Sequence, residues 1–127
     1  MDLTRILDKR ILLADDEPGV REAISMLLTV DGHTVTGAAN GREALHLFQA
    51  EHFDVVITDF AMPEMKGNEL AAAIRRLAPT QPIIMITAYP NSLIGADNPV
   101  DQVLTKPFRL DDLRQAIAGV LDPYRAQ

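Results

Sequence analysis

Four places along the chain put a chemically capable residue directly after a short apolar run: Asp15-Asp16-Glu17, Asp59, Thr87 and Lys106. Two like charges about 4 Å apart repel by roughly 4 kcal/mol at an effective dielectric near 20. Asp15, Asp16 and Asp59, if brought together, would therefore need a cation. Oxygen ligands with no histidine nearby favour a hard ion, Mg²⁺ (or Mn²⁺) before Zn²⁺. Mg²⁺ keeps several waters and prefers one or two carboxylates plus a phosphate. A carboxylate can itself be the nucleophile and form an aspartyl phosphate. Phosphoryl transfer needs positioning and neutralisation of the oxygens more than covalent help, and Lys106 and the Thr87 hydroxyl supply an amine and a donor for that purpose. Each residue alone has a plainer reading. Acids favour a helix N-terminus, Asp often follows a strand in a turn, Thr is a good strand residue and Lys is usually a solvated amine. The combination is what points to phosphoryl chemistry.

These residues need a frame that brings them together. Ile11-Leu12-Leu13-Ala14, Asp54-Val55-Val56-Ile57-Thr58, Pro82-Ile83-Ile84-Met85-Ile86 and Gln102-Val103-Leu104-Thr105 read as strands. Apolar runs without alternation suit strands covered on both faces. His33 to Gly37 is more polar and reads as an edge strand. Helices are expected from Pro18 to Asp31-Gly32 with Val20, Ile24, Leu27 and Leu28 inward, and from the Asn40 cap through Glu51 with Ala44, Leu45 and Phe48 inward. A third runs over Asn68–Leu77 with Leu70, Ile74 and Leu77 on one face, and a last carries Leu113, Ile117, Val120 and Leu121. Pro90, Gly95 and Pro99 allow at most a short helix in Pro90–Val100. Alternating strands and helices imply an α/β fold, a doubly wound parallel sheet with helices on both faces. Ligands bind such sheets beyond the carboxyl ends of the strands, and those ends carry the acids, the hydroxyl and the amine.

The chain has 127 residues and a net charge of −6, with 47% apolar and 24% charged residues. That is one domain with material for a core. The boundaries expected are a leader over 1–8, a domain over 9–123 and a tail over 124–127. The acidic balance, without a basic stripe, argues against direct nucleic-acid binding. No run approaches a membrane span, and the absence of cysteine fits a cytoplasmic protein. There is no G-x-G-x-x-G or G-x-x-x-x-G-K-[ST] for a nucleotide. Haloacid-dehalogenase-like phosphatases, which also form an aspartyl phosphate, place a second Asp two residues after the nucleophile, and after Asp59 that position is Ala61. His33, His46 and His52 lack metal-ligand spacing and are expected at the surface; Met26, Met62, Met65 and Met85 are expected as core and loop filler.

Four motifs in order carry a family likeness: Asp15-Asp16-Glu17-Pro18, then Thr58 through Gly67 (Thr-Asp-Phe-Ala-Met-Pro-Glu-Met-Lys-Gly), then Ile86-Thr87-Ala88, then Thr105-Lys106-Pro107-Phe108. Over about Lys9 to Leu121 the chain resembles the response-regulator receiver domains of two-component signalling. The resemblance implies a flavodoxin-like five-stranded parallel sheet of order 2-1-3-4-5. It implies that Asp59 is the phosphoacceptor, and that Asp16, Asp15 (largely through water), Asp59 and the Ala61 carbonyl hold Mg²⁺ or Mn²⁺. Thr87 becomes the switch hydroxyl, Lys106 the phosphate-pairing amine, and Lys106-Pro107 a cis bond. The partners implied are a histidine kinase or phosphotransfer protein and an output partner that the sequence does not name. A homodimer through the fourth and fifth strand-helix units is also open. Such a domain turns over no separate substrate but catalyses its own aspartyl phosphorylation and dephosphorylation. Three departures stand out. Val103 occupies a position that is usually aromatic. Thr87 and Lys106 are 19 positions apart, which shortens the fourth helix. Ala61 and Tyr89 occupy the two positions that shape water access to the phosphate, and Tyr89 is read as a partial cover. The rival reading is a receiver-like scaffold that binds partners without phosphorylation.

Overall fold

The apolar runs become the middle of a sheet. A computed structural model describes residues 8–89 and 99–122. The strands are β1 Arg10–Ala14, β2 Thr34–Ala38, β3 Val55–Asp59, β4 Ile83–Thr87 and β5 Gln102–Thr105, all parallel in the order 2-1-3-4-5. Every residue of β3 and β4 is buried, whereas the edge strands β2 and β5 are partly exposed. The helices are α1 Pro18–Val30, α2 Gly41–Ala50, α3 Gly67–Leu77 and α4 Leu110–Leu121. The leader over 1–8 (except Asp8), the short helix expected in Pro90–Val100 (except Pro99 and Val100) and the tail over 124–127 lie outside the described residues.

Strand alternation divides the interior into two cores. Ile11, Leu13, Ile57, Ile84 and Ile86 face α1 and α4, meeting Ile24, Leu28, Leu113 and Ile117. Leu12, Ala14, Val56 and Ile83 face α2 and α3, meeting Ala44, Leu70 and Ile74. Each fully buried Ile or Leu contributes about 1.5–3 kcal/mol of apolar transfer, so the sheet's middle is the rigid part on which a site can be held. Pro18 opens α1, and Asn40 caps α2 by accepting the Glu43 N–H at 2.8 Å.

Some side chains sit elsewhere than their spacing suggests. Leu77, expected inward, is exposed because it is the last residue of α3, and Met26 points to solvent instead of filling the core. His33, expected at the surface, is buried just after α1. Its Nδ1 accepts the Lys9 N–H at 3.2 Å, so the ring is neutral with its hydrogen on Nε2. Burial lowers the His33 pKa most, and Lys9 lowers it further; Asp31 and Asp8 oppose the shift. The folded state therefore binds this proton less readily than the unfolded chain, whose pKa is about 6.5. The contribution of His33 is complete above about pH 6.5 and is lost as pH falls below it. Urea midpoints at pH 7.5 and 5.5 should show a fall in wild type that is smaller in His33→Gln. Equal falls would refute the assignment.

Candidate functional site

The site grows from the carboxyl ends of β1, β3, β4 and β5. Asp59 is the last residue of β3 and Thr87 the last of β4, while Asp15 and Lys106 directly follow β1 and β5. Parallel pairing puts these ends on one rim, and Phe60 N donates to Ile86 O at 2.9 Å while Lys106 N donates to Thr87 O at 2.9 Å. Carboxylate oxygens of Asp15, Asp16 and Asp59 lie within 4.8 Å of one another. Lys106 Nζ is 2.9 Å from Asp59 Oδ1. The sequence-predicted acids and amine thus come together.

The electrostatics are those of three crowded carboxylates with one amine beside them. Asp15 is almost fully buried. Its Oδ1 accepts the Glu17 N–H at 2.9 Å, but its Oδ2 has no hydrogen-bond partner among the described residues. Burial pushes the Asp15 pKa up, and Asp59 and Asp16 push it further against the Glu17 N–H and Lys106. Burial alone would pull Lys106 down; its hydrogen bond and charge pairing with Asp59, helped by Asp15 and Glu17, hold its pKa above the ordinary value. An orphaned buried carboxylate oxygen beside two further carboxylates fits a hard divalent cation, with oxygen ligands and room for waters. Nothing in the donor set suits a softer metal.

Thr87 is buried, and its Oγ1 accepts the Tyr89 N–H at 3.0 Å, a bond that uses a lone pair and not the hydroxyl hydrogen. Tyr89 itself is 77% exposed, so its ring stands open to solvent here. Val103 lies at the outer face of the edge strand β5, 36% exposed. Ala61 is exposed in the loop after β3, where Glu64 adopts a positive φ of 66°. The Lys106-Pro107 bond is cis. Pro107 and Phe108 join Gly19, Val20 and Ala23 of α1 and Ala88 in lining an open apolar groove beside Lys106.

Two supporting residues carry weaker sequence signals. Arg21 donates to the Asp15 carbonyl at 2.7 Å, and its stem lies against Gly37, where an added Cβ would be 3.2 Å from Arg21 Cδ. Nothing in the spacing marks that contact. Gly67 was visible only as the end of its motif. Its N–H donates to Phe60 O at 3.0 Å, and an added Cβ would collide with the Asp59 carbonyl oxygen.

The response regulator receiver domain model matches residues 11–118. The transcriptional regulatory protein GlrR of Escherichia coli (strain K12) is 37% identical over 115 residues, covering 88% of this chain and 26% of GlrR. This chain therefore spans about a quarter of that relative's length. Among solved structures, the response regulator TrrA of Thermotoga maritima in complex with Mg²⁺-BeF is 36% identical with a TM-score of 0.84, covering 89% of this chain and 99% of that one. A structure of the histidine kinase ThkA in complex with TrrA matches with 36% identity and a TM-score of 0.81, covering 89% of this chain and 98% of that one.

Proposed function

This chain belongs to the response regulator receiver family, and on that premise we propose that Asp59 accepts a phosphoryl group from a histidine kinase or phosphotransfer protein and thereby switches a protein-binding surface. The observation that carries this reading is Lys106 Nζ at 2.9 Å from Asp59 Oδ1, beside carboxylates gathered within 4.8 Å. An Asp59 carboxylate oxygen attacks phosphorus while the P–N bond to the donor imidazole breaks, and the leaving imidazole takes up a proton. Lys106 pairs with one phosphoryl oxygen, and Thr87 turns its hydroxyl hydrogen toward another. Asp15, Asp16, Asp59 and the Ala61 carbonyl would hold Mg²⁺, which supplies neutralisation of phosphoryl charge.

The product carries close to two negative charges where Asp59 carried one. Thr87 ends β4 and Lys106 directly follows the adjacent β5, so a pull on both biases the loops after β4 and β5 between two arrangements. Tyr89 follows Thr87 closely enough to move with it and to shield the phosphoryl group from water. Val103 puts no aromatic ring behind that motion, so the Thr87 end of the β4–β5 connection is the readout. The apolar groove along α1 beside Lys106 suits a helix of the donor; the similar protein TrrA has been solved in complex with a histidine kinase. On this reading the chain sits in the cytoplasm, on the side where a histidine kinase would donate; among the described residues no helix is long and apolar enough to cross a membrane. Self-association stays open through the exposed β5 edge.

Incubation with acetyl phosphate and Mg²⁺, followed by intact mass, tests the reading. Wild type should gain one phosphoryl group, with acetate leaving, and Asp59→Asn should gain none. No gain in wild type with acetyl phosphate or with a phosphorylated kinase would overturn it in favour of a scaffold that acts without phosphorylation.

A further inference from the structure

Arg75 lies in the last turn of α3, at the end of the sheet opposite the acids. Its guanidinium has five N–H donors, and all five are engaged. Nε and Nη2 donate to Pro99 O at 3.2 and 2.8 Å, and Nη2 also donates to Asp101 Oδ2 at 3.0 Å. Nη1 donates to Pro79 O at 3.0 Å and to Gln81 O at 2.6 Å. Asp101 Oδ2 also accepts the Ile83 N–H at 2.8 Å, and Asp101 N donates to Ile83 O at 2.9 Å. The Arg75 side chain therefore joins the end of α3, the loop into β4 and the chain entering β5, and Asp101 extends the link to the first residue of β4.

β5 has four residues and, among the described residues, a single strand neighbour, β4. Such a short edge strand has little to hold its register, and a slip of one residue turns every side chain to the other face. At its far end β5 delivers Lys106. At its near end stands Asp101, about 16 Å away at roughly 3.3 Å per residue. The guanidinium meets these acceptors as a planar fork, which a lysine ammonium cannot reproduce.

We infer that Arg75 is a positioning residue for phosphorylation, setting through Asp101 the register of β5 and so the placement of Lys106 at Asp59. The inference rests on the phosphoacceptor reading above. The metal carboxylates follow β1 (Asp15, Asp16) or end β3 (Asp59), and none is on β5, so a misplaced Lys106 slows the Lys106-dependent step without weakening metal binding. A merely structural role would alter both through the fraction of folded protein.

The test uses this full chain, with acetyl phosphate at saturation and Mg²⁺ binding measured separately by calorimetry. Arg75→Ala should slow phosphorylation about tenfold to a hundredfold, the range reached when a reacting group is misplaced by up to about 1 Å, while the Mg²⁺ affinity does not fall below the wild-type value. In a Lys106→Ala background the same substitution should cost almost nothing further. Arg75→Lys, which keeps the charge but not the fork, should lose at least threefold, and it is the variant to read if Arg75→Ala does not fold. A wild-type rate in either folded variant, a parallel loss of Mg²⁺ affinity, or full additivity with Lys106→Ala would overturn the inference. A wild-type protein that takes no phosphoryl group would instead refute the phosphoacceptor reading itself.

Discussion

Asp15→Asn should raise the stability of the metal-free protein by about 1–3 kcal/mol, the scale of a buried polar group without a partner, and should weaken Mg²⁺ binding about tenfold to a hundredfold, as loss of a group at a metal site does. Both effects have one cause. Asp15 is 1% exposed, its Oδ2 has no partner among the described residues, and a carboxylate oxygen of Asp15 lies within 4.8 Å of oxygens of Asp16 and Asp59. Asparagine keeps an oxygen to accept the Glu17 N–H and removes the charge that burial and its neighbours oppose. Added Mg²⁺ should reverse the ranking. A ligand at a hundred times its Kd stabilises the folded state by about 2.7 kcal/mol, a gain open to wild type at concentrations too low to load the variant. Urea denaturation with and without Mg²⁺ reads the crossing directly. Curves that fail to cross, or a variant less stable than wild type without metal, would remove Asp15 from the metal site. Such an opposition is expected where function demands a repulsive arrangement that folding alone would discard.

The legible parts of this protein are those in which residue type and strand period carry the same message. β1, β3 and β4 could be read because burial on both faces demands unbroken apolar runs, and Asp15, Asp59, Thr87 and Lys106 stand at the ends of such runs. Parallel order then brings them to one rim without knowledge of any side-chain conformation. What escaped the sequence depends on distance or on main-chain partners. Asp31 and Arg114 form a two-pronged ion pair at 2.7 and 2.8 Å, yet they are 83 residues apart and look like ordinary surface charges in the sequence. Four of Arg75's five hydrogen bonds end on carbonyl oxygens, which every residue possesses, so no motif announces them. His33 looked like a polar edge-strand residue, but its neutral ring satisfies the Lys9 N–H in a buried corner. Leu77 obeys the helical period of α3 but stands at its last residue, beyond the cover of the sheet. Period predicts a direction; whether anything lies in that direction is decided by the length of the neighbouring element.

Gly67→Ala should destabilise the protein by about 1–3 kcal/mol, as overpacking of a filled site does, even though alanine favours a helix over glycine by about 1 kcal/mol. Gly67 is the first residue of α3, and its N–H donates to Phe60 O, just beyond the end of β3. A methyl group there would strike the Asp59 carbonyl oxygen and come within 2.7 Å of Met85 Sδ and 3.0 Å of Phe60 Cα. The first and last of these are main chain and cannot turn aside, and Met85 is fully buried in the middle of the sheet. The relief must come from withdrawal of α3 or displacement of the end of β3, and both move Asp59. The rate of phosphorylation at saturating acetyl phosphate should therefore fall about tenfold to a hundredfold, the cost of a sub-ångström to 1 Å misplacement. Ile24→Val gives the comparison, because Ile24 packs in the core on the opposite face of the sheet. It should lose about 0.5–1.5 kcal/mol and keep its rate under conditions where the protein is folded. Equal rates for Gly67→Ala and wild type would mean that the methyl group is absorbed by α3 alone. A rate loss in Ile24→Val of the same size would mean that the site responds to stability in general and not to the space kept clear beside Asp59.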